Sequence, residues 1–154
     1  MMIPETPPSV TPDDRLALIL QSHLRLTGRV LVESSDLLWS ADIVVVAHGT
    51  EADPVFFYGN RAALQLFEMS FDEFTRLPSR LSAEPDARAA RAALLDRVAK
   101  DGFVDDYCGV RIAKSGARFA IEKATVWNLL DEAGNYCGQA AAFAPPTTHI
   151  IRTC

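Results

Sequence analysis

Cysteine is scarce in this chain and badly placed for chemistry. The three cysteines, Cys108, Cys137 and Cys154, form no Cys-x-x-Cys pair and have no metal-ligand spacing. No metal site is expected. An odd count without a scaffold pattern suits a reducing cytosol, so a cytoplasmic location is the expectation. No apolar run approaches membrane-spanning length. The opening Met1-Met2-Ile3-Pro4-Glu5 lacks the basic-then-apolar order of a signal peptide. A basic stripe is missing too: the net charge is −5, and Arg88, Arg91 and Arg97 share their helical segment with Asp86, Asp96 and Asp101. That pattern reads as a solvated helix face, and neither direct nucleic-acid binding nor membrane binding is expected.

Catalytic signatures are equally thin. The chain has no Gly-x-Ser-x-Gly, no phosphate loop, no His-Glu-x-x-His and no dinucleotide fingerprint. His48 near Asp42 and Glu51 is the nearest approach to a dyad, and short loops often carry such residues. The enzymatic alternative is a small α+β enzyme using Asp106 as a base, provided burial raises its pKa.

What the chain does have is a hairpin-rich second half. Phe103 to Ala113 and Ala117 to Leu130 read as strands joined at Ser115-Gly116, and Asp131 to Asn135 turns the chain into a third strand, Tyr136 to Phe143. If Lys114 and Ala117 close the first turn, Ile112 faces Phe119, Val110 faces Ile121, Cys108 faces Lys123, Asp106 faces Thr125 and Val104 faces Trp127. Alternation then makes these residues one mostly apolar core face. Asp106, Lys123 and Thr125 are its odd members. A bulge near Glu122-Lys123 could turn them to solvent, or they could form a polar cluster orienting a small molecule, or a buried ion pair. The opposite side carries Tyr107, Arg111, Glu122 and Asn128, a mixture suited to solvent or a partner.

The first half supplies helices and two further strands. Residues 1–10 are Pro-rich and read as a flexible tail, and 145–154 as another; 11–144 reads as one domain. Thr11 and Pro12 look like the start of a helix over 11–27 that Gly28 ends. Leu16, Ile19, Leu20, His23 and Leu24 form an apolar stripe along it, either core cover or an interface. Ile43 to His48 and Val55 to Tyr58 read as strands, with Asp36 to Trp39 as a possible short helix before them. Asn60 is a good N-cap for a helix over Arg61 to Phe67, and Ser70 with Glu73 forms a capping box. Pro85 opens a longer helix to about Lys100, with Ala87, Ala90, Leu94 and Val98 inward, the arginines outward, and Gly102 as its C-terminal cap.

Two strands, short helices, a long helix and three strands is the order of the PAS fold. Local blocks sharpen the likeness. Tyr58-Gly59-Asn60-Arg61-Ala62-Ala63-Leu64, Leu66-Phe67-Glu68, Leu77-Pro78-Ser79-Arg80, Ser82-Ala83-Glu84-Pro85, Val126-Trp127-Asn128-Leu129 and Gly138-Gln139-Ala140-Ala141 resemble the MEKHLA domain family, over roughly Leu18 to Phe143. The resemblance implies a PAS-like α+β fold: a five-stranded antiparallel sheet with short helices and one long helix on one face, plus an N-terminal helix. It also implies a sensory module of the stand-alone bacterial type. Such a module binds a small molecule between sheet and helices or acts through a homodimer or protein partner. A pure dimerisation module with a filled core is the alternative.

No cofactor is identified. The flavin photoadduct motif of this fold would fall in Leu77 to Pro85, which has no cysteine, and the long helix has no histidine for haem. A covalent flavin and a histidine-ligated haem are therefore not expected, while non-covalent flavin, another metabolite or no ligand stay open. Candidate ligand-binding residues are Tyr58, Asn60, Arg80, Asp106, Lys123, Thr125, Trp127 and Gln139. Arg80 could bind an acidic group bidentately or pair with Glu84.

Overall fold

Gly28 ends the first helix by adopting a backbone that side chains disfavour. The computed structural model describes Ile3, residues 13–83 and residues 88–146. In it α1 runs Asp13–Thr27, and Gly28 at φ +74 brings its amide to Leu24 O at 2.9 Å. The expected Thr11-Pro12 helix start, the Pro85 start of the long helix with Ala87, and the chain from 147 onward lie outside the described residues.

The strands are β1 (Val44–His48), β2 (Phe56–Gly59), β3 (Phe103–Ile112), β4 (Arg118–Leu130) and β5 (Tyr136–Phe143). They form one sheet in the order β2-β1-β5-β4-β3, with every neighbouring pair antiparallel. β1 lies between β2 and β5 and is buried along its whole length, so it reads as an unbroken apolar run. The helices α2 (Arg61–Phe67), α3 (Phe71–Phe74) and α4 (Arg88–Asp101) cover one face. There Phe56 stacks on Phe74, and Phe67 meets Phe119 edge-on at 5.1 Å. The reverse face carries α1: Trp127 Nε1 donates to Ile19 O at 3.2 Å, and Ser22 Oγ accepts from Leu130 N at 2.9 Å.

The hairpin register differs from the expected one by a residue. Ala113, not Lys114, closes the turn, accepting from Gly116 N and donating its own amide to Ala117 O at 2.8 Å. Ile112 therefore pairs with Arg118, Arg111 with Phe119 and Gly109 with Ile121. Because side chains alternate, a one-residue slip exchanges the two faces of β3 near the turn. Arg111 and Tyr107 are thus inward, and Val110 and Ile112 lie on the other side. A second device then acts on β4. Lys123 has φ +51, and Glu122 and Lys123 both point to solvent in a bulge. Past the bulge the helix-covered face continues through Ala124, Val126 and Asn128. Thr125, Trp127 and Leu129 belong to the α1 face. The assignment of Phe119 to Trp127 to a single face is corrected accordingly.

Asn60 fastens three elements. Its Oδ1 accepts from Ala63 N, as the cap of α2, and from Val45 N of β1. Its Nδ2 donates to Leu38 O and Ile43 O, at 3.1 and 2.8 Å, in the segment before β1. The side chain is fully buried, and every donor and acceptor it owns is used. We expect Asn60→Ala to lower unfolding free energy by about 3 kcal/mol, through lost bonds and orphaned backbone partners. Asn60→Asp, which loses both donors, should be no better tolerated. Urea denaturation checks both.

Candidate functional site

A cavity of about 60 Å³ lies between the sheet and α4. Val46, Phe56, Phe67, Leu94, Ile121 and Val126 make most of its wall apolar. The polar lining is short: His48, Ser82, Arg91, Tyr107, Arg111 and Gln139. The wall is defined by how α4 is docked. Gln139 Nε2 donates to Leu95 O at 3.1 Å and to Asn128 Oδ1 at 3.2 Å, and Asn128 Nδ2 donates to Val98 O at 3.0 Å. Two side-chain amides of the sheet thus hold α4 by its backbone, beside the apolar contact of Leu94 and Val98 with Val104 and Val126.

Arg91 stands on the inward stripe of α4, one turn before Leu94 and two before Val98, and is only 9% exposed. The expected stripe through Ala90 is rotated: Ala90 is exposed and Arg91 takes its place. Burial and the nearby Arg111 charge lower the Arg91 pKa to about 10. Arg111 is 7% exposed; its Nη2 donates to Tyr107 Oη at 2.8 Å and its Nη1 to Val110 O at 3.0 Å. The Tyr107 phenol reaches Arg111 by crossing Gly109. A Cβ on Gly109 would sit 2.3 Å from Tyr107 Oη, so glycine is needed for this close approach.

His48 ends β1, opposite Gln139 of β5. Its Nδ1 lies 3.0 Å from Gly49 O, which can only accept, so Nδ1 carries the proton and the neutral ring's Nε2 is a lone-pair acceptor. Nε2 is buried and has no hydrogen-bond partner. Burial, helped by the charge of Arg91, holds the His48 pKa below its ordinary value, against the opposing pull of Gly49 O, Glu51 and Gln139. The strand end is fixed by Gly138 at φ +131, where a Cβ would lie 2.1 Å from His48 O.

Of the candidate ligand residues, Gln139 lines the cavity and the others do not. Tyr58 is buried core, edge-on to Phe71, and burial raises its pKa. Asn60 is fully occupied as a structural clamp. Arg80 is exposed and pairs with Asp53 at 3.0 Å. Asp106 is 81% exposed, 4.0 Å from Arg97, and so lacks the burial a catalytic base there required. Lys123 is turned out by its own bulge, Thr125 is half-buried on the α1 face, and Trp127 is packed under α1 against His23. The interface stripe also divides. Ile19 and His23 are buried against the sheet, with His23 Nδ1 2.9 Å from Arg29 O. Leu16 and Leu20 are half-buried, and Leu24 is 48% exposed. The cavity's own cations, Arg91 and Arg111, were not among the candidates. The i, i+3, i+7 spacing of Arg91, Leu94 and Val98 was the available signal for the first.

Cys108 is disulfide-bonded, and Cys137 is the free cysteine among the described residues, so the cysteine count carries no statement about compartment. No group of metal-binding side chains and no helix long and apolar enough to cross a membrane occurs among the described residues.

Sheet order, helix placement and the cavity under α4 define a PAS-like domain. The solved structures agree. A PAS domain from Colwellia psychrerythraea superimposes with a TM-score of 0.63 at 13% identity, covering 72% of this chain and 92% of that one. The light-state dimer of the fungal blue-light photoreceptor Vivid gives 0.62 at 17% identity, with 87% and 97% covered. A light-oxygen-voltage domain studied with a flavin analogue gives 0.56 at 18% identity, with 70% and 80% covered. The chain belongs to the MEKHLA domain family, which it matches over residues 13–146. The homeobox-leucine zipper protein ATHB-9 of Arabidopsis thaliana is 25% identical over 103 residues, which span 65% of this chain and 12% of that protein. Family and fold together are those of a PAS-like domain.

A flavin does not fit the residues present. One six-membered ring asks for a cavity of roughly 150 Å³, and the three fused rings of a flavin far exceed the 60 Å³ between the sheet and α4. Among the described residues no cysteine lines that cavity.

The buried histidines predict a pH dependence. His48 and His23 both have folded pKa values below the ordinary 6.5, so the unfolded chain binds protons that the folded one refuses. Stability is complete above pH 6.5 and falls as pH drops below it. Glu51, Glu73 and Asp131 are held below their ordinary carboxylate values, so the stability they contribute is present at neutral pH and is lost only below the range where the histidines act. Chemical denaturation between pH 7.5 and 5 should show the decline, and His48→Gln should flatten it in part.

Proposed function

We infer that this domain senses a small molecule held in the cavity under α4, and that α1 on the reverse face carries the response to a second copy or a partner. The observation that carries the reading is the lining itself: buried polar groups converge from α4, β1, β3 and β5 on a space otherwise walled by apolar side chains, as ligand sites do. The response has a physical route. Asn128 binds α4 while its neighbours Trp127 and Leu130 bind α1, so a shift of α4 bears on the strand that seats α1. The outward part of α1 supports a docking role, since Leu24 and Val30 are exposed apolar residues beside Leu20 and Leu31. A cytoplasmic, bacterial, stand-alone protein without direct nucleic-acid or membrane contact is the setting this reading proposes.

Native mass spectrometry of freshly purified protein, compared with the same sample denatured, tests it. We expect a mass excess that denaturation removes, and a dimer peak that Leu24→Asp reduces to monomer without unfolding the chain. Bare protein whose melting temperature no metabolite panel shifts would move the domain to the filled-core interaction class.

A further inference from the structure

We propose that the cavity is a receptor site for a short-chain carboxylate of two or three carbons, clamped by Arg91 and Arg111. The inference rests on the sensory reading above and names its ligand class. Its first ground is an imbalance of charge. Five exposed cations find carboxylates: Arg29 with Asp105, Arg76 with Asp72, Arg80 with Asp53, Arg97 with Asp106 and Lys114 with Glu73. The two buried guanidiniums do not. Among the described residues no carboxylate forms an ion pair with Arg91 or Arg111. Asp53 attracts Arg91 from a distance but is itself engaged by Arg80. Arg111 is met by a phenol and a carbonyl, both neutral.

Two like charges facing one low-dielectric space, with no counter-ion among the described residues, are costly to bury. A carboxylate placed between them removes the repulsion and accepts from planar donors suited to it. Among the described residues the other titratable groups on the wall are His48, held neutral, and Tyr107. A neutral imidazole supplies no negative charge.

Size and polarity narrow the class. A cavity of about 60 Å³ holds roughly four or five water-sized spheres, which is the scale of acetate, glycolate or lactate. The apolar wall of Val46, Leu94, Ile121 and Val126 suits a methyl or methylene. His48 Nε2 is buried and makes no hydrogen bond of ordinary geometry, although the Gln139 side chain lies close enough to act on the ring; a hydroxyl on the ligand can donate to it.

The test uses the full chain at fixed ionic strength, with thermal melts and calorimetric titration against sodium acetate, glycolate, propionate and lactate. Sodium chloride and propionamide are the controls. Carboxylates should raise the melting temperature saturably, by about 5–10 °C at a hundredfold excess over Kd, and the controls should not. Arg111→Gln should weaken binding at least tenfold. Arg91→Met should abolish the carboxylate response while raising the melting temperature of the ligand-free protein by a few degrees, because it removes a buried unpaired charge. That gain separates a binding arginine from a structural one. A preference of about fivefold for glycolate over acetate should vanish in His48→Leu.

Propionamide binding as well as propionate, chloride reproducing the shift, or Arg91→Met destabilising the protein would each overturn the proposal. A neutral ligand retained in native spectra, with no response to carboxylates, overturns it and leaves the sensory reading standing. No retained ligand and no shift from any compound overturns the sensory reading itself.

Discussion

The bulge at Glu122-Lys123 decides which side chains of β4 face the cavity. A regular β4 would carry Phe119, Ile121, Lys123, Thr125 and Trp127 on one face, and no apolar cavity could contain that lysine. One residue in the left-handed region, Lys123 at φ +51, turns both charged side chains to water and exchanges the faces beyond it. Ala124, Val126 and Asn128 then continue the face begun by Phe119 and Ile121, and Trp127 is released to the other side. The matching irregularity on β3, around Tyr107, keeps Val104 opposite Val126 while Tyr107 and Arg111 stay on the cavity side. Without the paired irregularities the hairpin would present either its arginine end or its valine end to α4, not both.

The same alternation gives β4 two helices to serve. Asn128 takes hold of α4 through Val98 O, and Trp127, one residue earlier, takes hold of α1 through Ile19 O. Consecutive residues of a strand point to opposite faces, so the two grips are mechanically adjacent although the helices are a sheet apart. Each grip is a buried hydrogen bond on a backbone carbonyl, which is directional and tolerates little displacement. A movement of α4 that lengthens the Asn128 bond must be absorbed by β4 or by Gln139, and β4 is where α1 is seated. Sheet and helices in this arrangement behave as one coupled element with the cavity on its inner side.

Much of this architecture was legible in the residues. Turn glycines, the Asn60 cap, the Ser70-Glu73 box and the order of elements are local signals, and each acts within a few positions of itself. The site was less legible because its residues are set by non-local facts. Hairpin register depends on whether Ala113 or Lys114 closes the turn, and both choices leave a plausible pattern. The slip moved Arg111 and Tyr107 from the supposed outer side to the cavity. On α4 Leu94 and Val98 are inward as the stripe suggested, but the turn before them is covered by Arg91 and not by Ala90. Periodicity arguments assume that charges avoid the interior, so they are blind where a charge is inside for a purpose. Asn60 fails in the other direction: its type suggested a ligand contact, and its hydrogen bonds are all taken by the backbone.

Arginine and histidine respond differently to the same burial, and that difference shapes the empty domain. His48 escapes the cost by remaining neutral, since its ordinary pKa lies near neutrality. Arg91, lowered only to about 10, keeps its charge at any physiological pH. The repulsion between Arg91 and Arg111 is therefore a permanent property of the empty cavity. It can be relieved by an anion from outside or by moving Arg91 away, and Arg91 moves only with α4. The amide of Gln139, bonded to Leu95 O within the same helix, opposes that motion.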